Sequence, residues 1–420
     1  MGKATRATWR LAALLLAGVV ASLVQFPEAQ AAKKPDAPKI NPKILKPLQS
    51  SLELANAGKF AEAEVELQKT DIVSEKTSFE QFQIDELACF IAVKQQKYGP
   101  AAIPCERGLD SGLLPADEQV HDRLRLLTQL FRQTEPRKLD KSSEYGKRWL
   151  EATGTRDPLM LGLVGEAAYF SDNFSEATNY MKEAVSLTKA AGQKPEENWL
   201  LVLQNSYSKL KNDPGTLEAT MDLARYYPRK DHWMTLVQAQ LSSAANKDRQ
   251  ILQVFRLMYQ VDAMDQADDF TEAATVAIQR GSPGEALKFM EKGYASGILE
   301  TSGDKAKSEA LRAEAQRQAT ADEKALGQFE KEASATKAGE ADVRLGEAFL
   351  SYDQPVKGLE AIQRGIGKGG VKDMDEANLS LGRGYILAGN GPDAIKAFAM
   401  VKSPEYAQLA QLWSIYAGQL

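Results

Sequence analysis

Histidine and cysteine are scarce in this sequence, with two of each among 420 residues. His121 and His232 are far apart, and neither has a second His or a Cys at ligand spacing, which argues against a zinc site. Both are expected on solvated helix faces, His121 in ADEQVHDRLRLL and His232 just before Trp233. Positive charge is not in excess either: 52 Lys and Arg stand against 57 Asp and Glu, a net of −5. Phosphate backbones ask for a basic face, so nucleic acid is not the expected partner. The one Gly-Lys stretch, GIGKGG (365–370), lacks the following Ser or Thr of a phosphate loop and leaves a helix instead of a strand. Carboxylates are plentiful but lie on periodic polar faces, and no catalytic pair stands out among them. No cofactor is implied.

Long apolar runs are also missing, apart from one at the N-terminus. Lys3, Arg6 and Arg10 precede LAALLLAGVVASLV (11–24), and Ala29-Gln30-Ala31 supplies a small-x-small cleavage site. Residues 1–31 therefore read as a secretory signal peptide, the run being short of the roughly 20 residues of a comfortable membrane span. Retention of the segment as an N-terminal anchor is the alternative. No Cys follows the cleavage point to carry a lipid. Removing three basic residues and one acidic one leaves 49 against 56, a net of about −7. The Pro- and Lys-rich AKKPDAPKINPK (32–43) has no apolar period and reads as a tether. The expected product is exported, periplasmic and not inserted in a membrane after cleavage.

What is present is repetition. In LGRGYILAGNGPDAIKAFAMV (381–401), Leu381 and Tyr385 lie one helical turn apart, as do Ala394 and Phe398. Gly389 and Gly391 break the first helix, and Pro392 suits the first turn of the next. Gly382, inside a helix, costs about 1 kcal/mol against Ala. Close approach of the two helices, with Ala394 as the other small surface, would offset it. The same order recurs in 345–366 (Gly346, Phe349, Gly358, Ile362), 273–294 (Ala274, Gly281, Ala286, Met290) and 164–185 (Gly165, Ala177, Met181). A weaker copy has Leu54, Gly58, Phe60, Ala63 and Leu67. Three units end alike: ERGLDSGLL (106–114), EKGYASGIL (291–299) and QRGIGKGGV (363–371). Their glycines are in phase, at Gly108, Gly293 and Gly365 and four residues later at Gly112, Gly297 and Gly369, where a left-handed helix cap favours glycine.

This order resembles the tetratricopeptide repeat (TPR), a helix–turn–helix unit of about 34 residues. The expected fold is all-α: a TPR-like α-solenoid of seven to nine stacked units with a C-terminal capping helix. Clear units are expected at 44–75, 80–113, 158–190, 266–299, 339–371 and 375–402. Weaker ones fall at 116–152, 196–228 and 230–264, with Trp149, Trp199 and Trp233 as core filler. Residues 403–420 place Leu409, Leu412, Trp413 and Tyr416 at helical spacing and would cover the open end of the stack. Segment 300–338 is helical but poor in large apolar residues, and reads as a joint between an array at 44–299 and a second one at 339–420.

The two cysteines fit the repeat. Cys89 occupies the place of the small first-helix residue, and Cys105 that of Met181, Met290, Ile362 or Phe398. The two places face each other across the hairpin, so in an exported chain they form a disulfide candidate, two buried thiols being the alternative. TPR arrays bind peptides or protein surfaces on a concave face lined by first helices. The resemblance therefore implies a protein partner and no catalysis. It puts Glu166, Tyr169, Asn205, Glu347, Arg383 and Ile386 toward the groove. The layout also resembles exported repeat proteins of Gram-negative bacteria, some associated with TonB-type systems. This implies a scaffold in envelope assembly or TonB-dependent transport. An adaptor of a polysaccharide-export or secretion complex and a cell-wall enzyme are the other readings.

Overall fold

A computed structural model describes residues 39–244 and 248–420. The expected signal peptide, and the tether up to residue 38, lie outside the described residues. Among the described residues there are helices and turns and no strand. The chain divides into two compact units, Met1–Asn212 and Asp213–Leu420.

The first unit holds α1 (Pro42–Asn56), α2 (Phe60–Gln68), α3 (Ser78–Lys94), α4 (Tyr98–Asp110), α5 (Asp117–Arg132), α6 (Leu139–Thr153), α7 (Pro158–Phe170), α8 (Phe174–Ala190) and α9 (Glu197–Lys209). Successive helices pack as antiparallel hairpins, and each hairpin stacks on the next. Helix starts follow local chemistry. Asn41 caps α1 through Lys43 N with Pro42 in the first turn, so the helix begins two residues inside the segment expected as tether. Thr77 and Glu80 cap α3 reciprocally, the T-x-x-E pattern of TSFE. Asp157 caps α7 ahead of Pro158.

The second unit holds α10 (Asp213–Tyr226), α11 (Lys230–Ala244), α12 (Asp248–Gln260), α13 (Ala267–Gln279), α14 (Pro283–Ala295), α15 (Lys305–Ala335), α16 (Glu340–Ser351), α17 (Pro355–Lys368), α18 (Met374–Leu387), α19 (Gly391–Phe398) and α20 (Pro404–Ala417). The weak units expected at 116–152 and 230–264 are the hairpins α5/α6 and α11/α12. That expected at 196–228 corresponds to α9 and α10, which fall on either side of the division.

The joint expected at 300–338 is corrected by the structure. It is largely α15, a 31-residue helix packed inside the second unit against α13, α14 and α16. Its contacts run through Ala315, Ala319, Leu326 and Ala333, all buried. Small side chains let a helix lie close to its neighbours, so a shortage of large apolar residues marked tight packing, not a linker. Tyr352 fastens the helix by donating to the Ala319 carbonyl and to Asp322 at 2.8 Å. The lysine of GIGKGG closes the far end: Lys368 donates to the carbonyls of Ala333 and Thr336 and pairs with buried Asp342.

One contact recurs in four hairpins. A Cβ on Gly165 would stand 3.0 Å from Met181, on Gly346 2.4 Å from Ile362, and on Gly382 2.3 Å from Phe398. Cys89 and Cys105 are disulfide-bonded with Cα atoms 4.9 Å apart, at the same sequence separation of 16 residues. The small residue under Phe398 is Gly382, and Ala394 is buried in the same core as Phe398. The phased glycines have two roles. Gly112, Gly297 and Gly369 end their second helices at φ +67, +77 and +72, in the left-handed region. Gly108, Gly293 and Gly365 instead admit a neighbour within 3 Å of where a Cβ would be.

Gly382→Ala should destabilise the second unit by about 1–3 kcal/mol, because Phe398 is pinned against Trp413 with ring centroids 5.9 Å apart. Gly327→Ala, on α15 with nothing within 4 Å, should stabilise by about 0.5–1 kcal/mol. Urea unfolding read by circular dichroism checks the opposite signs. Removing the disulfide as Cys89→Ala/Cys105→Ala should cost on the order of 3 kcal/mol in the chain-entropy account. Cys89→Ala/Cys105→Met, which copies the Ala274 and Met290 pairing of α13/α14, should recover at least about 1 kcal/mol of that. The recovery is read from the urea midpoints of the two variants.

Candidate functional site

In the first unit, hairpins are tied to one another by charge as well as apolar packing. Glu86 on α3 takes two hydrogen bonds from Arg123 on α5, at 2.7 and 2.8 Å. Arg132 on α5 pairs with Glu166 on α7. On the second helices, Glu106 accepts from Lys141 at 2.5 Å and from the Tyr145 hydroxyl at 2.6 Å. Glu166 is thus buried and committed to Arg132 instead of standing free in a groove.

On α7, Leu159 and Phe170 face solvent, while Leu163 between them is partly buried and Glu166 is buried. Leu159 is 48% exposed and Phe170 51% exposed. Tyr169, half-buried, meets the Phe170 ring at 5.4 Å and the Phe174 ring at 5.8 Å, both edge-on. Asn205 on α9 is exposed, and its amide donates only to the Leu201 carbonyl of its own helix.

In the second unit, α20 changes what the first helices face. It packs on α19 and also on α10, α12 and α18. Trp413 stacks on Phe398, and Tyr416 meets both Trp413 and Trp233 edge-on. Gln260 donates to the Tyr416 hydroxyl, and Gln419 to the Ala224 carbonyl, each at 2.8 Å. The last helix reaches the unit's first ones, and one core runs from Met221 to Ala417. Arg383 and Ile386, expected on an open groove, are buried here, and Glu347 is partly buried.

A charge cluster occupies that interior. Arg256 on α12 grips Glu285 on α14 through Nε at 3.0 Å and Nη2 at 2.6 Å. Its Nη1 lies 3.5 Å from Glu347 on α16, which also accepts from Ser380 on α18 at 2.5 Å. Arg383 on α18 reaches the same Glu285 through Nη2 at 2.5 Å. Two arginines and two glutamates from four helices thus balance in a space that water does not screen. Burial pushes the Glu285 carboxyl up, but the charges and hydrogen bonds of Arg256 and Arg383 outweigh it and hold its pKa down to about 2. Burial also works against Arg256, and Glu285 and Glu347 more than compensate, raising its pKa. For Arg383 the balance tips the other way: burial and the like charge of Arg256 lower its pKa despite both glutamates.

Arg256 and Glu285 were not among the residues expected from sequence. The available signal was a lone arginine inside LQVFRLMY (252–259), whose apolar neighbours Leu252, Val254, Phe255, Leu257 and Met258 are all buried. His232 is also buried, not solvated. Its Nδ1 lies 2.8 Å from the Tyr227 carbonyl and its Nε2 2.9 Å from Arg229. Among the described residues no group of His, Cys, Asp and Glu is arranged to hold a metal. No helix there is long and apolar enough to cross a membrane.

No protein-family profile matches the chain, and no curated protein matches its sequence. Among solved structures, the chain is similar to one from a functional characterisation of Pseudomonas aeruginosa PilF. The identity is 14% over 47% of this chain and 97% of that one, with a TM-score of 0.27. The TPR2AB-domain–pHSP90 complex of yeast Sti1 matches at 12% identity over 72% of this chain and 100% of that one, with a TM-score of 0.25. A structure of Naa15/Naa10 bound to HypK-THB matches at 14% over 87% and 64%, with a TM-score of 0.27. The stacked hairpins with their repeated small-on-large contact are what make this fold TPR-like.

The Glu285 pKa lies below its unfolded value of about 4.3. Its contribution to stability is therefore complete above that value and is lost as pH falls toward 2. Glu285→Gln should cost about 3–5 kcal/mol near neutral pH by leaving two buried guanidiniums unbalanced, and should flatten the acid loss between pH 4.3 and 2. Arg383→Met, which removes the more poorly compensated charge, should cost less than half as much. Urea titrations of the three proteins at pH 7 and pH 3 check both statements; an equal cost for the two variants would contradict the ranking.

Proposed function

We propose that this protein is a non-catalytic scaffold that binds a protein partner on the first-helix face of its first unit. The observation that carries the reading is the pair of exposed large apolar residues on α7, Leu159 and Phe170. Each is about half exposed, and Tyr169, itself packed on Phe174, backs Phe170. Aromatic residues held by neighbours lose little freedom on binding and dominate interface energetics, and contiguous exposed apolar surface marks contact sites. Glu166 between them is buried and locked by Arg132, and Asn205 is exposed on the neighbouring first helix α9.

The N-terminal sequence supports export. Cleavage after Ala31 leaves an acidic periplasmic protein whose partner belongs to the envelope, in its assembly or in TonB-dependent transport. Service as an adaptor of a polysaccharide-export or secretion complex shares the same surface and differs only in the partner. A cell-wall enzyme would need convergent titratable side chains. The cluster around Glu285 is neutralised by its own ion pairs.

Crosslinking in intact cells of the native host tests the proposal. A specific envelope protein should be captured by the wild type and reduced at least about tenfold by Phe170→Glu, whose site is a surface position and leaves the fold intact. The captured chain should begin at Ala32. Capture unchanged by Phe170→Glu and Leu159→Lys together would contradict the assigned face.

A further inference from the structure

The outward side of α8, a second helix of the first unit, carries an open cleft of about 480 Å³, closed at one end by Arg156 from the turn before α7. Its charged side chains are already engaged with one another. Arg156 grips Glu183 through two hydrogen bonds, that from Nε at 2.6 Å. Glu176 pairs with Lys147 of α6 at 2.5 Å and accepts from the Asn173 amide at 3.0 Å. These contacts hold the walls in place before anything binds, which lowers the ordering cost of a ligand.

The groups left over are neutral. Ser175, Asn179 and Glu183 follow one another at intervals of four along α8, with Tyr180 beside them, so they share one face and line the cleft together. The Ser175 and Tyr180 hydroxyls and the Asn179 amide hydrogen-bond to no other described residue, and each can both donate and accept. Tyr180 is partly buried, its Cβ 3.2 Å from where a Cβ on Gly165 would stand, so its ring is held in position as an aromatic surface. An anion would find the Arg156 guanidinium taken and the carboxylates of Glu176 and Glu183 in the wall. An aliphatic ligand would find no aliphatic wall. A polyhydroxylated neutral ligand brings hydroxyls that donate and accept in equal measure, and a ring face to lie on Tyr180.

We propose that this cleft binds a neutral saccharide, its hydroxyls on Ser175, Asn179 and the Tyr180 hydroxyl and one sugar face against the Tyr180 ring. From Asn173 to Glu183 the cleft runs roughly 15 Å along the helix, which suits a segment of an oligosaccharide better than a single ring. The site belongs to a second helix, whereas the protein-binding reading rests on Leu159 and Phe170 of a first helix. The two are therefore separable by mutation.

The full-length protein, applied to an array of immobilised bacterial oligosaccharides, tests this. The array carries neutral glycans of hexose and N-acetylhexosamine and their uronate-bearing counterparts. Saturable retention by a neutral glycan, with no preference for the uronates, is expected. In calorimetry with that glycan, Ser175→Ala/Asn179→Ala should weaken binding at least about tenfold; both sites are exposed, so the fold is kept. Phe170→Glu should leave the affinity unchanged. No saturable retention, a preference for uronates, undiminished affinity in the double variant, or loss of glycan binding in Phe170→Glu overturns the site.

Discussion

A stack of helical hairpins leaves an apolar face open at each end, and those faces must be covered before the rest of the stack is stable. In the second unit a single helix, α20, lies on the last hairpin through Trp413 and Phe398 and touches the unit's first helices through Tyr416 and Gln419. Everything distinctive about that unit depends on this double contact. It turns first-helix residues that would line an open groove into interior residues. It places Arg256, Glu285, Glu347 and Arg383 where their charges interact strongly and must balance. Among the described residues of the first unit no helix makes such an internal closure, and Leu159 and Phe170 on its first-helix face stay exposed.

Within several hairpins a second constraint operates, on how closely two helices can approach. The first helix offers Gly, Ala or Cys, and sixteen residues later the second offers Met, Ile, Phe or Cys to fill the space. Helix propensity disfavours glycine at Gly165, Gly346 and Gly382, and tertiary packing overrides it. The Cys89–Cys105 disulfide is a covalent version of the same contact, in the hairpin where Pro104 leaves α4 without one backbone donor.

The hairpins, the disulfide and the capping helix were legible because they rest on short-range spacing: the small-then-large residue order, the phased end glycines, and Leu409, Leu412 and Trp413 at helical intervals. Glycine alone did not mark the turns: Gln96, Asp172 and Asp353 in clear units, and Lys211 in the weak one at 196–228, adopt φ +59, +57, +55 and +55 where Gly58, Gly281 and Gly389 stand in other hairpins. The role of α15 was hidden because alanine reads as neutral in sequence yet permits the closest packing. The burial of Arg383 and Ile386 was not legible at all. It depends on α20 returning to helices about 180 residues earlier, a contact that no local pattern encodes, and Glu285 meets Arg383 across 98 residues.

The central claim is that α20 belongs to the second unit's cooperative core and does not merely sit on its end. Native-state amide hydrogen exchange measures this directly. The account predicts that amides of residues 409–416 in α20 exchange through the same opening, with the same free energy and denaturant dependence, as those of residues 254–258 in α12. If the α20 amides exchange through a separate, lower-energy opening while α12 stays protected, the unit is not closed as described.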